Sequence, residues 1–154
     1  MKSHTSIHWS RWKKHRFLTS DTEKLKDFRN NNLSIGLDDF IDLDYGELLF
    51  KKLLNDLREE EVLNFFNDKN IGNSKSIKKY NKKIIHYSHL FFIKWISILK
   101  NHIDFDKEIK IICEIGGGYG ALTEKLLMFH TCKVIMIDLE LTNQLSYYYH
   151  KQNF

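Results

Sequence analysis

The stretch that most constrains the fold is IKIICEIGGGYGALTEKLL, at residues 109–127. A short apolar run rich in β-branched residues leads into four glycines within five positions, and a helical pattern of apolar residues follows. A strand that turns sharply into a helix requires positive φ angles, which glycine adopts without steric cost. A second apolar run, CKVIMID at 132–138, and another helical pattern come next. This order predicts a parallel βαβ unit followed by a helix, and therefore an α/β fold.

The part of the chain before this unit is predicted to be mainly helical. The pattern indicates an amphipathic helix over 5–30, a loop over 29–40, and a helix that starts at Asp44 with Glu47 as its capping-box partner. A polar connection over 67–83 and a mostly buried helix over 84–100 follow. That last helix is expected to keep one narrow polar face, formed by His86, His89, Lys94, Ser97 and Asn101.

Composition and charge limit the classes of partner. Hydrophobic residues make up 42% of the 154 residues, which suits one domain with a core. Residues 1–16 carry five basic side chains and no acidic one, a charge of +5, while the remaining 19 basic and 20 acidic residues leave the rest of the chain nearly neutral. HWSRWKKHRF, at 8–17, could contact nucleic acid or a membrane surface, but five cations are few for such a site. We favour a solvated helix that buries its Trp rings, and we expect no nucleic-acid partner. The apolar run at 84–100 is short for a bilayer span, so no membrane span is expected.

Cysteine, histidine and acidic residues predict no metal site. Cys113 and Cys132 each lie in a predicted buried strand and form no CxxC pair, which indicates a reducing, cytoplasmic compartment. The N-terminus has no apolar segment of a secretory signal. The acidic stretch at 38–47 does not fit a calcium loop, because Glu47 stands where that loop requires glycine. His86 and His89 have no third ligand placed by spacing.

The glycine loop fits two ligand patterns. Gly116, Gly118 and Ala121 match G-x-G-x-x-G/A, which is typical of dinucleotide sites. Gly116, Gly118 and Gly120 match [D/E]-x-G-x-G-x-G, with Gly117 in the same loop. A tight turn without a ligand is the structural alternative. Four glycines in five residues exceed what a turn requires, so we expect a ligand to approach the bare backbone at the helix N-terminus.

Glu114 distinguishes between these patterns, and a second acidic residue indicates a ribose. Glu114 precedes the first glycine by two positions, where a carboxylate would gain nothing from pyrophosphate but would suit a ligand with an ammonium group. Asp138 ends the second strand, where an acidic side chain can accept hydrogen bonds from both hydroxyls of a ribose. An ammonium group and a ribose together describe S-adenosylmethionine (SAM).

These segments also resemble a known family. EIGGGYGALTEKLL, VIMIDLE and NQLSYYYH are similar to the first motif, the second-strand motif and the next helix of class I SAM-dependent methyltransferases. More narrowly, they resemble bacterial sugar O-methyltransferases of surface-polysaccharide gene clusters, which often read E-I-G-x-G-Y-G and then I-D-L-P-E. Glu140 here follows Leu139 directly, without the proline. The likeness covers about residues 25–150, and only 109–150 carries specific motifs.

The resemblance implies a helical N-terminal region over 1–108 and a partial Rossmann-like SAM-binding domain over 109–154. It implies SAM-dependent transfer of a methyl group to a sugar hydroxyl, with a glycan or sugar nucleotide as acceptor. Only the first two strands of the family's sheet are present, so the chain is expected to be a truncated form that can oligomerise through an exposed sheet edge. The general base is not assigned. The alternative is a non-catalytic fragment or interaction module that retains a vestigial nucleotide-binding loop.

Overall fold

The structure of this chain is a computed structural model that describes residues 25–30 and 41–154, apart from the side chain of Leu141. It combines helices with two small sheets. In chain order the helices are α1 (Leu43–Asp56), α2 (Glu59–Leu63), α3 (Leu90–Lys100), α4 (Phe105–Glu108), α5 (Ala121–Phe129) and α6 (Glu140–Asn153). The strands are β1 (Ile77–Tyr80), β2 (Lys83–His86), β3 (Ile111–Ile115) and β4 (Lys133–Ile137). The general α/β class predicted from the sequence is therefore confirmed.

Helix α1 begins close to the predicted position but with a different cap. The Asp42 carboxylate accepts hydrogen bonds from the backbone N–H groups of Asp44 (2.9 Å) and Tyr45 (3.2 Å), which satisfies donors that the first turn leaves free. The predicted capping box at Asp44 is wrong, because Glu47 instead accepts hydrogen bonds from Lys78 Nζ (2.7 Å) and from the Tyr87 hydroxyl (2.9 Å). The cap thus lies two residues earlier, and Glu47 links α1 to the segment that precedes α3.

Residues 67–100 contain the largest error of the sequence-based prediction. Strands β1 and β2 form an antiparallel hairpin within the predicted polar connection and the start of the predicted helix, with Ile77 opposite His86. Asn81 and Lys82 form its two-residue turn with φ angles of 46° and 61°, the geometry that suits the twist of such hairpins. The helix then begins only at Leu90.

The predicted polar face of the helix over 84–100 is also wrong. His86 lies in β2, and His89 ends a short 3₁₀ turn at Tyr87–His89. Both imidazoles are buried.

The core consists of two hydrophobic clusters that meet at α5. The first contains side chains of α1, α2, β2 and α3, together with Phe105 and Leu126. The second contains Phe28, Tyr119, Ala121, Leu145 and Tyr149. Because α5 contributes Leu126 to one cluster and Ala121 to the other, the helix that follows the glycine loop is held on both sides.

The parallel pair β3–β4 confirms the predicted βαβ unit. Its register runs from Ile111 opposite Lys133 to Ile115 opposite Ile137, with α5 between the two strands in sequence. Ile112 packs against the first cluster, and the Ser146 hydroxyl of α6 lies 3.2 Å from Met136 Sδ. One face of the sheet is therefore covered by the helices of the chain.

The opposite face of this sheet is open, and we call it the bare sheet face. It is formed by alternating, exposed, apolar side chains: Ile111, Cys113, Ile115, Ile135 and Ile137. Among the described residues, no helix covers this face. The prediction of buried cysteines is wrong, since Cys113 is exposed and Cys132 is only partly buried. Within 25–30 and 41–154, no third strand pairs with β3 or β4.

The rest of the N-terminal prediction lies mostly outside the described residues. This applies to the basic segment at 8–17, to most of the helix over 5–30 and to most of the loop over 29–40. Among the described residues, no helix combines the length and the apolar character needed to cross a membrane.

Candidate functional site

The glycine loop connects β3 to α5 at the carboxyl ends of both parallel strands. Gly116, Gly118 and Gly120 have φ angles of 73°, 59° and 94°, so the turn uses the conformations that favour glycine. The Gly116 N–H donates to the carbonyl of Ile137 at 2.8 Å, which ties the start of the loop to the end of β4. A Cβ atom added at Gly116 would meet no atom within 4 Å, so the backbone here borders open space.

Gly117 and Gly120 have packing reasons of their own. A Cβ atom at Gly117 would lie 2.8 Å from Glu114 Cδ and from Met136 Cε, so a larger residue here would require both side chains to shift. A Cβ atom at Gly120 would collide with the His150 ring and would lie 2.9 Å from Ser146 Oγ. Gly120 thus permits the close approach of α6, and the open backbone for a ligand lies at the start of the loop.

Glu114 is held against the loop by α5. The Thr123 hydroxyl donates a hydrogen bond to Glu114 Oε2. Burial raises the pKa of the Glu114 carboxyl, and the nearby Asp138 carboxylate adds to that rise, while the hydrogen bonds from Thr123 oppose it. The protein therefore stabilises a negative charge on Glu114 only in part.

Asp138 reaches from the end of β4 to the same loop. Its Oδ2 accepts from the Gly118 N–H at 2.8 Å, and its Oδ1 accepts from the Leu139 N–H at 2.6 Å. A carboxylate has about four lone-pair positions, so capacity remains for further donors. A cleft of about 570 Å³ adjoins Asp138, and none of its lining side chains is basic: Asp138, Glu140, Asn143, Gln144 and Tyr147.

Glu114, Gly116, Gly117, Gly118, Gly120 and Asp138 are therefore close together, as the sequence pattern predicts for a ligand site. Whether they bind a ligand stays a prediction. The arrangement presents two carboxylates beside an open backbone turn. Such a site favours a ligand with positive charge and hydroxyl donors, and it disfavours a phosphate, which the carboxylates would repel.

Sequence reasoning missed the polar groups buried behind the loop. The Tyr119 hydroxyl lies 2.9 Å from His89 Nε2, and the Tyr149 hydroxyl donates to Glu124 Oε2 at 2.6 Å. Lys125 Nζ lies 3.0 Å from the same Glu124 oxygen and donates to the Phe65 carbonyl at 2.7 Å. Adjacent charged residues such as Glu124 and Lys125 usually face solvent, so no local pattern marks them as buried.

The histidine pair considered as a metal-ligand candidate has other partners. His86 Nδ1 lies 3.0 Å from an Arg29 guanidinium nitrogen, and His86 Nε2 lies 3.3 Å from the Lys69 carbonyl. His89 contacts Tyr119, as described above. The two imidazole rings, 4.8 Å apart between centroids, thus belong to the buried polar network behind the loop.

Comparison of the chain with protein-family models, with curated proteins and with solved structures finds no match.

Proposed function

We propose that this chain binds SAM at the glycine loop and forms the cofactor-binding part of a Rossmann-like, SAM-dependent O-methyltransferase. The observation that carries the proposal is the convergence of Glu114 and Asp138 on one open backbone turn, without a basic side chain in the adjoining cleft. SAM carries an ammonium group and a ribose diol, so it complements two carboxylates. A dinucleotide would bring its pyrophosphate toward Glu114, whereas an acidic residue at the end of the second strand suits the ribose of either ligand.

Each residue of the loop has a role in this proposal. Glu114 accepts hydrogen bonds from the ammonium group, and Asp138 accepts hydrogen bonds from the ribose hydroxyls with its remaining lone pairs. The backbone at Gly116 allows the ligand to lie close, because no side chain fills the space there. The peptide N–H of Gly118 keeps Asp138 turned toward the loop.

The proposed reaction is the transfer of a methyl group to a sugar hydroxyl of a cytoplasmic glycan or sugar-nucleotide precursor of a surface polysaccharide. Bound SAM supplies an electrophilic methyl group. The chain's own part is to bind and orient the reactants. Correct orientation can lower the activation barrier by roughly 7–11 kcal/mol. The hydroxyl proton also needs a general base, and none of the loop residues is assigned that role.

A second candidate function is that of a non-catalytic fragment or interaction module with a vestigial loop. The bare sheet face favours it, because parallel sheets normally have both faces covered. An enzyme built on this unit would need further protein on that face, either to complete the sheet or to supply an acceptor pocket. The two candidates differ in whether SAM binds.

Titration of the 154-residue chain with SAM by calorimetry tests the proposal. We expect Asp138→Asn to weaken SAM binding by about 10- to 100-fold, because a hydrogen bond to a charged group contributes roughly 1.5–3 kcal/mol. Asp56→Asn, on the exposed surface of α1, is the matched control and should leave the affinity unchanged.

NAD⁺ is the second ligand in this experiment. Binding of NAD⁺ in preference to SAM would replace the proposal by the dinucleotide alternative. Equal SAM affinity in the Asp138→Asn variant and the wild type would show that the ribose contact is wrong.

A further inference from the structure

Tyr119 is the large side chain of the glycine loop, and it is inserted into the protein core. It is 2% exposed and lies between Gly118 and Gly120, both of which have positive φ angles. Its ring packs edge-on against Phe28 and Tyr149, with centroids 5.3 and 4.9 Å apart. The glycines alone allow the turn between strand and helix, so the turn does not require that the Tyr119 ring be buried. The buried ring therefore has another role.

The hydroxyl of Tyr119 reaches a second buried group, His89. This imidazole is fully buried just before α3, and its Nε2 lies 2.9 Å from the Tyr119 oxygen. Its Nδ1 lies 3.7 Å from Glu124 Oε2, in the first turn of the helix that follows the loop. Tyr119 and the start of α5 thus meet the same imidazole.

The protonation state of His89 suits this contact. Burial, followed by the positive charges of Lys125 and Arg29 and by His86, holds its pKa well below the ordinary value of 6.5. The imidazole is therefore neutral at neutral pH. We assign the tautomer with the proton on Nδ1, facing Glu124, so that Nε2 accepts the hydrogen bond of the Tyr119 hydroxyl. His89 Nδ1 has no hydrogen-bond partner within the described residues. The bond between Nε2 and the Tyr119 hydroxyl is therefore the one that restricts the His89 side chain, since loss of a buried hydrogen bond is costly.

We propose that Tyr119 and His89 are positioning residues for the ligand loop, which hold the Gly118 N–H against Asp138. The Gly118 N–H donates to Asp138 Oδ2 at 2.8 Å, and the Gly120 N–H donates to the Gly117 carbonyl at 3.0 Å. Tyr119 lies between these two amides, so a shift of its side chain turns both of them. This inference rests on the proposed function, because the contact between Tyr119 and His89 would hold the SAM site in its binding geometry before the ligand binds.

Amide hydrogen exchange of the whole chain tests the role without a ligand. We expect Tyr119→Phe to accelerate exchange at Gly118 and Gly120 at least tenfold, after correction for the change in global stability. Tyr45→Phe is the matched control, because this tyrosine lies exposed on α1. It should leave the loop amides unchanged.

The double variant Tyr119→Phe/His89→Phe separates positioning from general stability. Removal of both side chains leaves neither the hydroxyl nor the imidazole without the other, so part of the stability lost in the single variant should return. We expect the loop amides to stay at least tenfold faster than in the wild type. Loop exchange within twofold of the wild type in Tyr119→Phe, or slow exchange restored together with stability in the double variant, would overturn the positioning role.

Calorimetry with SAM supplies the second readout. We expect Tyr119→Phe to lower the SAM affinity about tenfold although its hydroxyl is buried behind the loop. A wild-type chain that binds no SAM contradicts the proposed function, and the exchange rates then decide the positioning role by themselves. Wild-type SAM affinity in a variant whose loop amides exchange rapidly would show that the ligand does not need the prepared loop.

Discussion

Isoleucine side chains are buried in the region around α3 but exposed on the bare sheet face. Ile93 of α3 is fully buried, whereas Ile111 and Ile115 of β3 are 59% and 80% exposed. Both segments are comparably apolar in sequence. The difference arises because Ile93 lies on the face of α3 that packs into the first cluster, whereas none of the described residues covers the exposed face of the β3–β4 sheet. The apolar sequence thus shows which side chains gain stability from burial, and the packing of neighbouring helices and strands decides which of them are buried.

The largest expected effect is the loss of stability caused by isoleucine-to-alanine substitution, which can be compared directly between the two regions. Ile93→Ala removes a fully buried side chain and leaves a cavity, so we expect a loss of about 2–5 kcal/mol in the free energy of unfolding. Ile115→Ala on the bare sheet face should change it by less than about 0.5 kcal/mol. Urea denaturation of both variants measures the difference. Equal losses would mean that the bare sheet face is covered in solution.

Acidification should weaken the region around α3 through its two buried imidazoles. Burial is the main cause that holds the pKa values of His86 and His89 well below 6.5, and the positive charges of Arg29 and Lys125 add to it. The unfolded chain therefore takes up protons first, and stability falls as the pH drops below about 6.5. The loss amounts to at most about 1.4 kcal/mol per pH unit for each imidazole.

Denaturation between pH 7 and pH 5.5 measures this slope. The double variant Tyr119→Phe/His89→Phe should lose part of it, because His89 is one of three described histidines, with His86 and His150, whose pKa is lowered. His102→Gln, an exposed position after α3, should keep the wild-type slope. A slope that persists unchanged in the double variant would assign the pH dependence to other groups.

The bare sheet face should drive self-association of the isolated chain. Ile115→Lys combined with Ile137→Lys places two charges on this face, and we expect the dissociation constant for self-association to rise about tenfold or more, since burial of one such side chain contributes roughly 1.5–3 kcal/mol. Leu48→Lys, at an exposed apolar position of α1, is the control. Sedimentation velocity at several concentrations provides the measurement, and an unchanged distribution would remove this face from the association.

The smallest expected effect is that of Glu114→Gln, which should change the stability of the chain and its binding of SAM in opposite directions. The pKa of Glu114 is raised, so its favourable contribution is present below the ordinary value of 4.5 and is lost as the pH rises through the higher folded value. Glu114→Gln should therefore stabilise the chain slightly at pH 7, by less than about 1 kcal/mol because the group is partly solvated. The same change should weaken SAM binding. Stability lost at pH 7 would show that the carboxylate is better accommodated than its burial indicates.

Local sequence signals predicted the elements whose patterns are regular. The β-branched runs, the glycines and the helical repeat between them define β3, α5 and β4, and they bring Glu114 and Asp138 to the same end of the sheet. The hairpin was missed because β1 and β2 have four residues each and contain several lysines. Its turn at Asn81 and Lys82 was a usable signal, since asparagine is common where such hairpins need a positive φ.

The sequence by itself determined that this chain contains a βαβ unit with a glycine turn between two acidic strand ends. These are short-range properties, set by the period of the apolar residues and by the steric freedom of glycine. Only the tertiary structure decided that Tyr119 meets His89, that Glu124 and Lys125 are buried, and that one sheet face stays bare. Those outcomes depend on residues that are distant in the chain, such as the contact across 30 positions between His89 and Tyr119. No local pattern encodes which distant partner will exclude water from a given side chain.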